Sequence, residues 1–115
     1  ATTGISGISA DDPAHAIEAV VRDLVKAIGE EVGVTNLLYE RTDVDDRFVG
    51  PGYGVPTPVS TEALELAART EGLLLDPVYT AKAMAGLMAM VRGGAFTGDQ
   101  TVLFWHTGGI PALFA

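Results

Sequence analysis

The sequence, 115 residues long, predicts an α/β fold in which helices flank a mainly parallel sheet. Three observations carry that expectation. Short apolar runs of strand length alternate with longer stretches whose apolar residues recur at helical spacing. Two of the helix starts carry the pair Asp-Pro, at Asp12-Pro13 and Asp76-Pro77. There an aspartate can cap free N–H groups, and proline suits the first helical position. Finally, Thr101 to Trp105 is a continuous apolar run, the pattern of a strand buried on both faces.

The elements follow in order. Gly4 to Ser9 is a short strand, weakened by its glycines. Asp12-Pro13 opens a helix whose apolar face is Ile17, Val20, Val21, Leu24, Val25 and Ile28, stopped by Gly29 or Gly33. Glu30 to Asp46 holds six of the fifteen acids and reads as a solvated loop with a short outer element, including Val34, Leu37, Leu38 and Tyr39. Its Asp43, Asp45 and Asp46 lack the spacing of a calcium loop. Phe48 to Pro58 has three glycines and three prolines in eleven residues, which means loop, with Tyr53 between two glycines. Ser60 caps a helix from Thr61 to about Thr70, which Gly72 ends. Leu73 to Leu75 is a short buried strand, followed by a helix from Pro77 to about Arg92. Met84, Leu87, Met88 and Val91 supply its apolar face, and its methionines are core packing.

The totals exclude several classes. Hydrophobic residues make up 48%, enough for a core in one modest domain. A formal net charge of −8 argues against a nucleic-acid surface. The absence of cysteine rules out disulfides and thiolate metal sites. No second histidine stands at metal-ligand spacing from His106, so no metal site is expected. No run approaches a membrane span, and ATTGISGISADDP lacks the features of a signal peptide, so the expected location is cytoplasmic. The start has no initiator Met and IPALFA stops on apolar residues, so a piece of a longer protein is expected.

The polar groups beside the expected sheet end are Tyr53, Tyr79, Thr80, Lys82, His106 and Thr107. Ligands sit at the carboxyl ends of strands in such sheets. Tyrosine can donate a hydrogen bond or act as a general acid, and free N–H groups at a helix start attract anions. His106 could serve as a base, but a lone histidine without a paired Ser or Cys is more often structural. Neither HTGG nor GPGYG matches a dinucleotide or P-loop fingerprint. Spacing alone therefore supports a small-molecule site and gives no reaction.

The strings VGPGYGVPT, EGLLLDPVYTAKAMAGL and VLFWHTGGIPALF resemble the C-terminal part of the D-cysteine desulfhydrase / 1-aminocyclopropane-1-carboxylate deaminase family. The resemblance covers Ile5 to Phe114. It implies a pyridoxal-phosphate enzyme of fold type II, like the tryptophan synthase β subunit, and makes residues 1–115 a partial domain of one. It places the tyrosines of GYG and DPVY, Tyr53 and Tyr79, on the substrate side of the cofactor as catalytic residues. Thr107, Thr80 and Gly108 are the implied cofactor-binding residues, with the Thr107 hydroxyl on the pyridine nitrogen or, alternatively, only capping the Gly-Gly turn. Deaminase members resemble DPVYEGK, with a glutamate where this sequence has Thr80, and tend to carry an apolar residue at the position of Thr107. Both differences resemble the desulfhydrase branch, while Ala81 departs from the usual glycine. The implied parent acts on a small amino acid, releases pyruvate, ammonia and sulfide from D-cysteine, and is a homodimer. Deaminase and cysteate sulfo-lyase activities are alternatives.

The same resemblance places the Schiff-base lysine, the ring-flanking asparagine and the phosphate loop before Ile5. Lys26 and Lys82 do not match that lysine motif, and Lys82 is expected to fix its helix or meet a surface acid. The 115-residue chain alone is therefore expected to be inactive. A silent binding domain and an unrelated α/β ligand-binding module remain as competing readings.

Overall fold

The computed structural model describes residues 3–34 and 42–114. Leu37, Leu38 and Tyr39 of the acidic segment lie outside them. Strand β1 (Ile5–Ile8) leads into helix α1 (Ala14–Val32) and then strand β2 (Thr42–Asp45). The two strands pair in parallel, Ile5 opposite Thr42 and Ile8 opposite Asp45, with α1 as the crossover. The ladder continues one step through the Ser9 N–H, which donates to the Asp45 carbonyl at 2.9 Å. A strand thus stands at the end of the acidic segment, for which a solvated loop with a short outer element was expected. Val44 accounts for it, being buried against the sheet's neighbours while the flanking aspartates stay at its edge.

The first helix departs from the expected cap. Asp12 makes no cap bond; the Ala14 N–H instead donates to the Asp46 carboxylate at 2.8 Å. A residue from the far end of the crossover thereby closes the βαβ unit. The apolar face of α1 is also split. Ile17, Val21 and Val25 face Ile5, Ile8 and Val44 across an apolar cleft of about 390 Å³. Val20, Leu24 and Ile28 are exposed.

Helix α2 (Pro58–Glu71) begins three residues before the expected start. Thr57, not Ser60, is its N-cap, and the two form a capping box: the Ser60 N–H donates to the Thr57 hydroxyl, and the Thr57 N–H to the Ser60 hydroxyl. Pro58 at N1 fits that frame. Helix α3 (Thr80–Arg92) packs beside α2 and crosses β1. The crossing is close because Gly86 has no side chain; a Cβ there would lie 2.6 Å from Ile8 Cδ1. Ala67, Leu75 and Ala81 form the buried centre, with Leu64, Leu73, Met84 and Phe104 packed around it.

Two expected strands are not formed. Leu73 to Leu75 and Thr101 to Trp105 are unpaired among the described residues. A strand needs a neighbour for its N–H and C=O groups, and here neither segment has one. Leu75 and Phe104 still point into the core, but Leu103 and Trp105 are 79% and 78% exposed, so the run is not buried on both faces. A short 3-10 helix, Ile110–Phe114, follows.

Candidate active site

Asp76 organises the start of α3. Its side chain is fully buried and accepts four hydrogen bonds. Oδ2 takes the N–H groups of Val78 and Tyr79, both at 2.8 Å. Oδ1 takes the Thr80 N–H at 2.9 Å and the Thr80 hydroxyl at 2.7 Å. The Thr80 hydroxyl in turn accepts from the Asp76 N–H at 2.8 Å. Burial pushes the carboxyl's pKa up, but the hydrogen bonds from the Thr80 hydroxyl and from the Thr80, Tyr79 and Val78 amides outweigh it. The net effect holds Asp76 below its ordinary value. The amides at this helix start are therefore already occupied by a carboxylate, and they are not the open anion site that the sequence suggested.

This compact cap fixes the backbone at Tyr79 and sends its phenol outward. There it meets Tyr53: the two phenol oxygens are hydrogen-bonded, and the rings stand edge to face with centroids 5.8 Å apart. Both rings are about half exposed, Tyr53 at 55% and Tyr79 at 48%. The Tyr53 hydrogen bond raises the Tyr79 pKa, aided by desolvation and by the neighbouring Tyr53, Asp76 and Asp11 charges. Tyr79 thus keeps its proton through the neutral range.

The loop carrying Tyr53 is held at both ends. Gly50 packs so closely on Thr57 that a Cβ would lie 2.3 Å from Thr57 Cγ2. Lys82, two residues into α3, is fully buried. Its ammonium donates to the carbonyls of Val49 at 2.7 Å, Gly52 at 3.2 Å and Ala10 at 3.3 Å. The expectation that Lys82 meets a surface acid is corrected here. Its three donors go to three backbone carbonyls, not to a surface acid.

The LFWHTGG block is tied to the segment that leads into α3. His106 Nε2 donates to the Leu74 carbonyl at 2.9 Å, while Nδ1 accepts the Gly108 N–H at 3.0 Å. These bonds fix the neutral tautomer and leave neither nitrogen open for proton transfer, so His106 is structural. Gly109 lies on Asp76, with φ +93° and a site for Cβ only 2.6 Å from Asp76 Oδ1. Thr107 is held between these two anchors. It is exposed, and its hydroxyl makes no hydrogen bond among the described residues. The cap of the Gly-Gly turn is made by His106.

The structure therefore brings Tyr53 and Tyr79 into contact and places Thr107 on a turn anchored to the same Asp76 cap. Thr80 faces inward and is committed to Asp76. The Gly108 N–H is used within its turn, and open space surrounds the place of its missing Cβ. Sequence reasoning missed Lys82 as a loop anchor. Its only sequence signal is a lysine in an otherwise apolar helix segment, TAKAMAGL. The apolar cleft under α1 includes neither tyrosine. No group of three or more His, Cys, Asp or Glu arranged for a metal occurs among the described residues.

Residues 2–108 match the family described as pyridoxal-phosphate dependent enzyme. Over 70 residues, 61% of this chain, the sequence is 56% identical to the D-cysteine desulfhydrase of Salmonella typhi. The D-cysteine desulfhydrase of Salmonella newport (strain SL254) matches to the same extent. Those 70 residues are 21% of each relative, so the chain spans about a fifth of the curated relatives it matches. A crystal structure described as an ACC deaminase homologue superimposes with a TM-score of 0.79 at 31% identity. The match covers 91% of this chain and 31% of that one.

Proposed function

The chain belongs to the pyridoxal-phosphate dependent enzyme family, and from that premise we propose that it forms the tyrosine-bearing side of the active site in a D-cysteine desulfhydrase. The observation that carries the proposal is the Tyr53–Tyr79 pair, with the Thr107 turn anchored to the same Asp76 cap as Tyr79. The donor set fits one side of the cofactor. Thr107 offers a free hydroxyl for a ring nitrogen, and open space at Gly108 allows a flat group to approach. Phosphate-binding amides are not part of this fit, because Asp76 occupies those at α3.

Pyridoxal phosphate, when bound, supplies an electron sink for the substrate's α-carbon. The residues of this chain orient the amino acid and manage protons. Either phenol can donate across the pair; when Tyr79 donates to Tyr53, the Tyr53 proton is free for the substrate. In the elimination the Cα–H proton is removed, the Cβ–S bond breaks, and sulfur leaves with the electron pair. A phenol hydrogen bond on that sulfur stabilises the developing thiolate. The released three-carbon unit takes up water and gives pyruvate and ammonia, so D-cysteine plus water balances to pyruvate, ammonia and sulfide.

Thr107 sets the branch. A carboxylate on the ring nitrogen would keep it protonated, whereas a neutral hydroxyl does so far less. The weaker sink suits loss of a good leaving group such as a thiol better than opening of a cyclopropane. The name of the structural relative keeps deaminase action on 1-aminocyclopropane-1-carboxylate as the second reading. No described helix is long and apolar enough to cross a membrane. A cytoplasmic homodimer acting on a small amino acid is the setting this reading implies. The test is to supply the full-length protein with pyridoxal phosphate and each substrate in turn. Sulfide and pyruvate from D-cysteine support the proposal; turnover of the cyclopropane substrate alone would replace it with the second reading.

A further inference from the structure

Among the described residues the Lys82 ammonium has no anionic partner. It is fully buried, and the groups facing it are the carbonyls of Ala10, after β1, and of Val49 and Gly52, in the tyrosine loop. Burying a cation is costly unless every proton is matched, and here the match comes from backbone dipoles of separate segments. No neutral side chain of similar length could hold three carbonyls that converge in this way, because their negative ends repel one another. Gly52 directly precedes Tyr53, and Lys82 is the third residue of the helix that begins after Tyr79. One ammonium therefore ties the position of the first phenol to that of the second.

We propose that Lys82 is a positioning residue whose buried ammonium acts as a built-in cation, clamping the 49–53 loop to α3 so that Tyr53 and Tyr79 meet. Its significance for turnover rests on the proposed lyase function; the clamp itself does not. Without the cation the three carbonyls lose their common partner, the loop moves off α3, and the phenol pair separates.

The test uses the full-length protein with pyridoxal phosphate bound, comparing wild type, Lys82→Met and Lys82→Ala. Two readouts are followed: the phenolate absorbance titration of the tyrosines, and the kcat and KM for D-cysteine. Because contact with Tyr53 raises the Tyr79 pKa, separation of the pair should move one tyrosine titration to lower pH in both variants. Displacing a phenol by about 1 Å can cost on the order of 100-fold in kcat/KM. Propylammonium added to Lys82→Ala should fill the vacated space, restore the titration and recover part of the rate, while tetramethylammonium, which has no N–H, should not. An unshifted tyrosine titration in Lys82→Met overturns the clamp. So does failure of propylammonium to restore either the titration or, in an unfolded variant, the fold. If wild type shows no D-cysteine turnover, the lyase reading fails, and the titration with its amine rescue still decides the role of Lys82.

Discussion

Replacing Asp76 with alanine should loosen the start of α3 far more than an exposed cap would. The substitution strips partners from three backbone amides, Val78, Tyr79 and Thr80, and from the Thr80 hydroxyl. At about 1 kcal/mol each these sum to about 4 kcal/mol, and water entering the emptied space lowers this to about 2–3 kcal/mol. Read as a local opening free energy, that is roughly 30- to 150-fold faster amide exchange. Hydrogen exchange by mass spectrometry of the full-length protein measures it in the peptide spanning Val78 to Ala85, with α2 as the internal control. Asp76→Asn keeps one acceptor oxygen and should fall between wild type and alanine. The pH dependence has a definite sign. Hydrogen bonds hold the folded carboxyl below 3.8, so its stabilisation is present above the unfolded value and is lost as pH falls through the folded one. Protection of these amides, corrected for intrinsic exchange, should drop in that acid window in wild type and stay flat in Asp76→Ala. Exchange in Asp76→Ala within about threefold of wild type would refute the reasoning, since even one lost bond of about 1 kcal/mol exceeds that.

Three further outcomes are expected. Gly109→Ala should destabilise by about 1–3 kcal/mol more than Gly108→Ala, because both have positive φ but only the Gly109 Cβ collides with Asp76; paired thermal melts measure the difference. Thr107→Val should slow D-cysteine elimination roughly 3- to 10-fold, the loss of one neutral hydrogen bond, with little change in thermal stability. Incubation with pyridoxal phosphate and borohydride should give no stoichiometric adduct at Lys82, whose amine is buried on three carbonyls; peptide mapping locates any adduct.

Much of this was legible in the sequence because it rests on local chemistry. Asp-Pro at residues 76–77 announced a capped turn, and helical spacing announced α1 and α3. Nonlocal partners were not legible. Asp12-Pro13 carries the same signal as Asp76-Pro77, yet Asp46 takes the amide at the start of α1, from 32 residues away. Ser60 looked like the cap of α2 because its partner role in a capping box resembles the cap itself. The run Thr101 to Trp105 has strand composition, but composition does not supply a neighbouring strand. Lys82 was misread for the same reason: three carbonyls from distant segments leave no trace in a sequence. The meeting of Tyr53 and Tyr79 was expected only through family resemblance, since 26 residues separate them.

The central claim is that Tyr53 and Tyr79 work as one phenolic unit in an amino-acid elimination. A double-mutant cycle on the full-length protein with pyridoxal phosphate tests it most directly, comparing sulfide release from D-cysteine by wild type, Tyr53→Phe, Tyr79→Phe and the double variant. The account predicts that each single variant loses roughly 100-fold or more in kcat, and that the double variant loses little beyond either single one. Losses that multiply would show two phenols acting independently, and near-wild-type rates in both single variants would remove the pair from the reaction.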